Sequence, residues 1–283
     1  MTIQVKGLRK KYFNKEAVKG VDFTIEPESI IGLLGRNGAG KSTVLNMIAR
    51  RIEKTSGDIT LDGVDLHKTP RAMHQVYLSS TENWFPKEYK FKDLLSIYKK
   101  TYPEFDSDFA EDLIKVFGVN VKERFSKAST GYQSIMKIIL ALCNPSEYIF
   151  MDEPVLGLDA NHRHIFNKKL LEAYARNPRT FVIATHLIEE VASILEKVIV
   201  IKDGVVTEEV MVEEVLGKGY VVSGATSLVQ EFVADKNVQE TEQIGNITRA
   251  VVIGKKGETP QGLDLSPLTL QDYFISITRK ENE

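Results

Sequence analysis

The chain has 283 residues, with 37 basic and 39 acidic side chains and a formal net charge of −2. Hydrophobic residues make up 42% of the chain and charged residues 27%, which is typical of a globular protein and excludes a disordered one. The balanced charge argues against a nucleic-acid-binding protein, because no basic excess is available to neutralise phosphates. Cys143 is the one cysteine, so a disulfide-stapled secreted domain is excluded.

Hydrophobic spacing predicts strands that alternate with helices. No apolar run reaches the roughly 18 residues of a membrane-spanning helix. In chain order, the pattern predicts short strands over 2–34 that end in the apolar run 29–34, a helix containing Val44, Leu45, Ile48 and Ile52, a strand over 58–63, helices from about 90 to 126, buried strands over 147–154 and 180–186, and a hairpin over 198–206. This alternation predicts an α/β fold with a mostly parallel core sheet.

The pattern changes near residue 216. Glycines, a strand, a helix and strands near 238–253 follow, and a closing helix is predicted to begin at Ser266-Pro267. We therefore expect one large domain over 1–216 and a small α+β appendage over 217–283.

The segment GRNGAGKS fits the phosphate-binding pattern G-x-x-x-x-G-K-[ST], and it follows an apolar strand and opens a helix. Its glycines allow backbone N–H groups to close around phosphate oxygens. Lys41 is expected to reach the β- and γ-phosphates, and the Ser42 hydroxyl to ligate Mg²⁺. The predicted nucleotide-binding residues of this loop are Gly35, Arg36, Asn37, Gly38, Ala39, Gly40, Lys41, Ser42 and Thr43.

A second buried strand ends in two adjacent carboxylates, Asp152 and Glu153. Unpaired charge is costly to bury, and Mg²⁺ would compensate Asp152. Glu153 points the other way on a strand, where it can face an attacking water and act as a general base. The simpler interpretation is an acidic turn after the strand, but the neighbouring phosphate loop favours the catalytic one.

In these motifs and their order, residues 1 to about 215 resemble the ATP-binding subunits of ABC transporters. GRNGAGKS resembles the Walker A loop of that family, IFMDE the Walker B strand, and LGLD the D-loop that crosses a dimer interface. The resemblance implies a P-loop NTPase fold with an antiparallel β subdomain and a helical subdomain over about 82–145. It also implies ATP and Mg²⁺ as cofactors.

The same resemblance assigns three further residues. Tyr12 would stack on adenine, with Phe13 as an adjacent competitor or simple strand packing as the alternative. Asp159 of the D-loop would lie near the nucleotide at the dimer interface. His186, in ATH, would sense the γ-phosphate, and we expect it to act with Glu153 in catalysis.

Two segments depart from the family pattern. The family signature LSGGQ is ASTGY here, which retains Ser129 and Gly131 for contact with the ATP of the opposite subunit. Ser129 is predicted to begin a helix. The family's Q-loop glutamine is replaced by Ser80, a weak candidate metal ligand, with Glu82 as the alternative.

The resemblance implies an ATP-hydrolysing exporter subunit at the cytoplasmic face of the membrane, which forms a homodimer on ATP and drives separate transmembrane subunits. These would dock near Trp84 and Phe85, although core packing explains those two aromatic residues equally well. Amphipathic or antimicrobial peptides or hydrophobic drugs are the expected cargo, as in phenol-soluble modulin exporters. The alternative is a soluble ABC ATPase of translation or DNA repair, but this chain has one cassette and no sustained heptads.

Overall fold

The computed structural model describes residues 1–278. Its strands are β1 Ile3–Tyr12, β2 Lys15–Ile25, β3 Ile30–Leu34, β4 Ser56–Leu61, β5 Val64–Asp65, β6 Val76–Ser79, β7 Tyr148–Asp152, β8 Thr180–Thr185, β9 Lys197–Lys202, β10 Val205–Met211, β11 Gly219–Ala225, β12 Asn237–Ile244, β13 Ile247–Ile253 and β14 Leu263–Pro267. Its α-helices are α1 Lys41–Ile48, α2 Pro70–Met73, α3 Phe91–Thr101, α4 Ser107–Val116, α5 Thr130–Leu142, α6 Ala160–Arg176, α7 Val212–Gly217, α8 Thr226–Val233 and α9 Leu270–Thr278.

The core sheet has the strand order β10-β9-β3-β8-β7-β6. Strand β3 is parallel to β8 and β9, and β7 is parallel to β6 and β8. Every residue of β3, β7 and β8 is buried, as expected for strands covered on both faces. The predicted α/β fold with a mostly parallel core sheet is confirmed, and the segments that follow β3, β7 and β8 meet at one sheet edge.

A separate antiparallel sheet has the order β2-β1-β4-β5. Strands β1 and β2 contain 10 and 11 residues, so they are longer than the short strands expected over 2–34. The register shifts between Val5 and Leu8, where Gly7 has φ 55°. Such a bulge interrupts the alternation of side chains without ending the strand pairing, which explains the difference.

Helices α3, α4 and α5 lie between β6 and β7 in the chain. The region predicted as helical from about 90 to 126 contains two α-helices and a single 3-10 turn at Phe125–Lys127. The phenylalanines Phe91, Phe109 and Phe125 are fully buried and supply the core of this region. None of the helices within residues 1–278 is both long and apolar enough to cross a bilayer.

The contacts divide the chain into two compact units, Met1–Glu209 and the residues from Val210 onward. In the second unit, β12-β13-β11-β14 form a sheet, and Val229 of α8 belongs to its buried core. The closing helix begins at Leu270, so the predicted start at Ser266-Pro267 is wrong. Those two residues end β14, where they pair with β11, and the helix is instead capped by Thr269, whose hydroxyl accepts the Asp272 N–H at 3.1 Å.

Candidate active site

The phosphate loop spans Gly35 to Gly40, between β3 and α1. Gly38 and Gly40 have φ values of 81° and 112°, which L side chains rarely adopt. A Cβ on Gly35 would lie 2.5 Å from the carbonyl oxygen of Ile201. The motif glycines are therefore required by the shape and packing of the loop itself.

The loop is supported from outside by β2 and by the turn between β9 and β10. A Cβ on Gly40 would lie 2.9 Å from the Ala17 carbonyl oxygen, and a Cβ on Gly204 would lie 2.8 Å from the same oxygen. The N–H of Gly204 donates to the carbonyl of Ala39 at 3.0 Å. Two other chain segments thus contact the loop where it enters α1.

Lys41 is the first residue of α1, and it is only 5% exposed. Its Nζ donates to the carbonyl oxygens of Gly35 at 2.7 Å and Arg36 at 3.3 Å, so the side chain curls over the loop. It lies 3.7 Å from Oε1 of Glu153. Burial lowers the pKa of Lys41, and the charge of Glu153 opposes that shift. This places one cation between the loop and the carboxylates of β7.

Asp152, the last residue of β7, is 5% exposed. Burial raises its pKa, and a hydrogen bond with the Ser42 side chain opposes the shift. Its Oδ1 atom is buried without a hydrogen-bond partner, which is costly for a carboxylate. A hard divalent cation prefers oxygen ligands of this kind. The Ser42–Asp152 pair therefore fits the predicted Mg²⁺ site.

Glu153 follows β7 in a left-handed backbone conformation with φ 50°. Its N–H donates to the carbonyl of Ala184 at 2.8 Å, which ties this turn to β8. Its carboxylate accepts a hydrogen bond from Oγ1 of Thr185 at 2.8 Å and lies 2.9 Å from Nδ1 of His186. The structure thus brings the two predicted catalytic residues, Glu153 and His186, into direct contact.

Thr185 was missed in the sequence. Its hydroxyl donates to Glu153 and also accepts the Leu187 N–H at 3.0 Å, so it holds both the carboxylate and the turn after β8. The available signal was a threonine directly before His186 at the end of a buried strand. Glu153 thus combines a left-handed backbone with contacts from Lys41, Thr185 and His186 to its carboxylate. Backbone strain of this kind is typical of a preorganised functional group.

Ser129 begins α5, as predicted, and its Oγ accepts the N–H of Tyr132 at 3.2 Å. A Cβ on Gly131 would lie 2.3 Å from the carbonyl oxygen of Gly157. The Ser134 hydroxyl donates to the Leu156 carbonyl at 3.1 Å. The start of α5 is therefore packed against the LGLD segment of the same chain, and this contact alone requires a glycine at 131.

Asp159 is the N-cap of α6. Its Oδ1 accepts the His162 N–H at 2.8 Å, and its Oδ2 lies 2.9 Å from the ring Nδ1 of the same histidine. The bond from the His162 backbone lowers the pKa of Asp159. Within the chain, this predicted interface residue therefore has a clear role in starting a helix.

Tyr12 ends β1 and is 42% exposed, with Nζ of Lys10 4.9 Å from its ring centroid. Phe13 is 98% exposed and has φ 47°, an uncommon conformation for an aromatic residue. Both rings are therefore accessible for stacking.

Ser80 lies in a cavity that Asp152 and Glu153 also line. Its hydroxyl accepts a hydrogen bond from Arg51 at 2.7 Å, and its carbonyl accepts one from Nζ of Lys137 at 2.8 Å. Burial, with a smaller effect of Arg51, lowers the pKa of Lys137 to about 8. The predicted metal ligand Ser80 thus has two cationic neighbours, which disfavour a further cation there.

The two aromatic residues of the predicted docking region differ in their surroundings. Trp84 is 71% exposed, whereas the ring of Phe85 packs edge-on against Phe125 at 4.9 Å between centroids. Core packing therefore accounts for Phe85, and Trp84 is the residue available to a partner.

Comparison with known proteins places these features in a family. A model of the family described as ABC transporter matches residues 18–156. The ABC transporter ATP-binding protein YtrB of Bacillus subtilis (strain 168) is 27% identical over 97% of both chains. The ATP-binding protein NatA of the same organism is 33% identical over 67% of this chain and 79% of its own.

Two further similarities concern export and fold. The Nod factor export ATP-binding protein I of Rhizobium sp. (strain N33) is 25% identical over 100% of this chain and 99% of its own. The dimeric bacterial ABC transporter cassette MJ0796 superposes with a TM-score of 0.64 at 22% identity, covering 74% of this chain and 98% of that one. The chain belongs to the ABC transporter ATP-binding proteins and is an ATPase subunit of that family.

Proposed function

We propose that two copies of this chain bind ATP between them and hydrolyse it to drive export through separate transmembrane subunits at the membrane. The observation that carries the proposal is the contact among Lys41, Glu153 and His186 beside the buried carboxylate of Asp152. In-line hydrolysis of a nucleotide requires a phosphate-binding loop, a carboxylate oxygen able to bind a metal ion, and an oriented general base.

In this site, Glu153 accepts a proton from the attacking water, and Thr185 and His186 hold its carboxylate in place. Lys41 supplies positive charge to the β- and γ-phosphates once its loop contacts are exchanged for phosphate oxygens. Ser42 and Asp152 would hold Mg²⁺, which supplies charge neutralisation on the phosphate oxygens. His186, beside the base, meets the γ-phosphate.

The dimer is supported by two features. Ser129 caps α5, so the N–H groups of its first turn are oriented as an anion-binding end, which suits a phosphate of a second copy's nucleotide. The dimeric cassette MJ0796 shares the fold of this chain. On closure, Asp159 would lie near the interface while it continues to cap α6.

Export is supported by the end-to-end similarity to the Nod factor export ATP-binding protein, which covers 99% of that relative. A ribose import ATP-binding protein matches over only 43% of its own length. The exposed indole of Trp84 offers a contact for a transmembrane subunit. Amphipathic peptides or hydrophobic drugs are the cargo class proposed from the resemblance.

Replacing Glu153 with Gln tests the proposal. The variant should bind ATP but hydrolyse it at least ~10²-fold more slowly, the usual range for loss of a general base. It should also accumulate as an ATP-bound dimer in size-exclusion chromatography with light scattering. Glu189→Gln is the matched control, because Glu189 is an exposed glutamate three residues after His186. Wild-type turnover in the Glu153 variant would contradict the assignment.

A further inference from the structure

Lys137 lies in the middle of α5, the helix that Ser129 caps. Its Nζ donates to three successive carbonyl oxygens, those of Ser80 at 2.8 Å, Thr81 at 2.9 Å and Glu82 at 3.1 Å. An ammonium group has three donors, so all of them are used on one short segment. We call residues 80–82 the clamped segment.

Arg51 completes the attachment of the clamped segment. Its guanidinium donates to the Ser80 hydroxyl at 2.7 Å and to the Leu78 carbonyl. Arg51 follows α1, the helix that begins at Lys41, whereas Lys137 belongs to α5. The clamped segment is therefore held by two cations, Arg51 shortly after the helix of the phosphate loop and Lys137 from α5.

Lys137 also lies between two cavities of about 70 Å³ each. The first is lined by Asp152 and Glu153, the second by Trp84 and Phe85, and Lys137 and Ser80 line both. One side chain thus contacts the space beside the hydrolytic carboxylates, the backbone of the clamped segment and the space beside the exposed indole.

We propose that Lys137 is a positioning residue that couples the clamped segment to ATP hydrolysis, so that movement at Trp84 changes the placement of charge beside Asp152 and Glu153. The inference rests on the proposed function and extends it, because it names the group through which a partner contact at Trp84 reaches the reaction. Lys137 touches neither nucleotide nor water in this role. It acts through the carbonyls that it holds and through its charge in the carboxylate-lined cavity.

Lys137 is expected to matter for the rate because the carbonyl oxygens of the clamped segment have few other hydrogen-bond donors. Without the ammonium, the carbonyl oxygens of Ser80 and Thr81 lose this donor and that of Glu82 keeps only the Ser80 hydroxyl at 3.4 Å. A loop with unpaired carbonyls rearranges toward water. Displacement of a group by about 1 Å near a reacting centre is enough to cost up to ~10²-fold in rate. Loss of Lys137 should therefore reduce the rate of the chemical step more than the affinity for ATP.

The chain contains its own reporter, since Trp84 is the one tryptophan and lies two residues after the clamped segment. The experiment compares wild type with Lys137→Met, Lys137→Gln and Lys137→Arg in the full chain, with Lys115→Met as the control for an exposed helical lysine. The measurements are kcat and KM for Mg²⁺-ATP, thermal unfolding, and acrylamide quenching of Trp84 with and without ATP.

For Lys137→Met and Lys137→Gln, we expect kcat to fall about tenfold or more while KM changes less than about threefold, the signature of a lost transition-state contribution. Trp84 should become more quenchable without ATP and lose any further response to ATP. Lys137→Arg should recover part of both signals, because it keeps the charge and donors. Lys115→Met should match wild type.

Two results would overturn the inference. One is wild-type kcat together with a wild-type Trp84 response in the Met and Gln variants. The other is a fall in kcat that merely follows the folded fraction in thermal unfolding, which would make Lys137 only structural. A wild-type protein that neither binds nor hydrolyses ATP would instead refute the proposed function, so the two failures are separable.

Discussion

The sheet edge around Lys41, Asp152 and Glu153 and the start of α5 around Ser129 and Gly131 are organised by different means. At the sheet edge, each polar group follows the end of a buried parallel strand. Its position in the fold can therefore be predicted from its position in the sequence. At the start of α5, the geometry comes from contacts with the LGLD segment, more than 20 residues away in the chain. The first region can therefore be recognised from sequence motifs, whereas the geometry of the second region depends on tertiary packing.

Removing Lys41 should show the largest difference between the two regions. Lys41→Ala should lower ATP turnover by at least ~10²-fold, because this cation faces the transferred phosphoryl group. Ser129→Ala should reduce ATP binding to the isolated subunit much less than Lys41→Ala does, since within the chain the Ser129 hydroxyl caps a helix. Steady-state assays measure ATP turnover, and equilibrium titration with fluorescent ATP measures affinity, for both variants. Similar ATP affinity and turnover in Lys41→Ala and wild type would contradict the predicted role of Lys41 in binding the phosphates.

Asp152→Asn should separate stability from function. Without nucleotide, the variant should be at least as stable as wild type, because a buried charge with one unpartnered oxygen is removed. With Mg²⁺-ATP, turnover should fall by roughly 10²-fold through loss of a charged metal ligand. Chemical denaturation without nucleotide and turnover across Mg²⁺ concentrations test this. A large loss of stability without nucleotide would show that Asp152 is structural.

Gly131→Ala tests the packing-defined region. A Cβ would clash with the Gly157 carbonyl, and overpacking of this kind costs about 1–3 kcal/mol of unfolding free energy. Gly217→Ala is the control, because a Cβ there meets nothing within 4 Å. Denaturant unfolding followed by circular dichroism gives both values. Equal stabilities would mean that Gly131 is required only by a ligand or a second subunit.

Asp159 should give the smallest effect on stability. Asp159→Ala should lower the free energy of unfolding slightly because the N-cap of α6 is lost, and Asp159→Asn should lower it less because an amide oxygen still caps. If the carboxylate also acts at a dimer interface, Asn should reduce ATP-dependent dimerisation while it preserves stability. Light scattering with ATP decides between these, and unchanged dimerisation in Asp159→Asn would restrict the residue to capping.

The sequence predicted the core sheet and the positions of Asp152 and Glu153 because motif and strand end coincide. It did not predict the contact of Thr185 with Glu153, because the two residues lie 32 positions apart and meet only through the pairing of β7 with β8. Lys137 was also not predicted to hold residues 80–82, because the partners lie 55 to 57 positions apart and meet only through tertiary packing. The closing helix was placed too early because Ser-Pro also suits the end of an edge strand.

The carbonyl oxygen of Ala17 has a consequence for nucleotide affinity. It lies against both Gly40 and Gly204, so the loop acquires its curvature from β2 and from a distant turn. The backbone entropy of the loop is then lost during folding and not when a ligand arrives, which is the thermodynamic meaning of preorganisation. The shape of the phosphate loop in this chain therefore depends on a strand that contains none of the residues of the phosphate-binding motif.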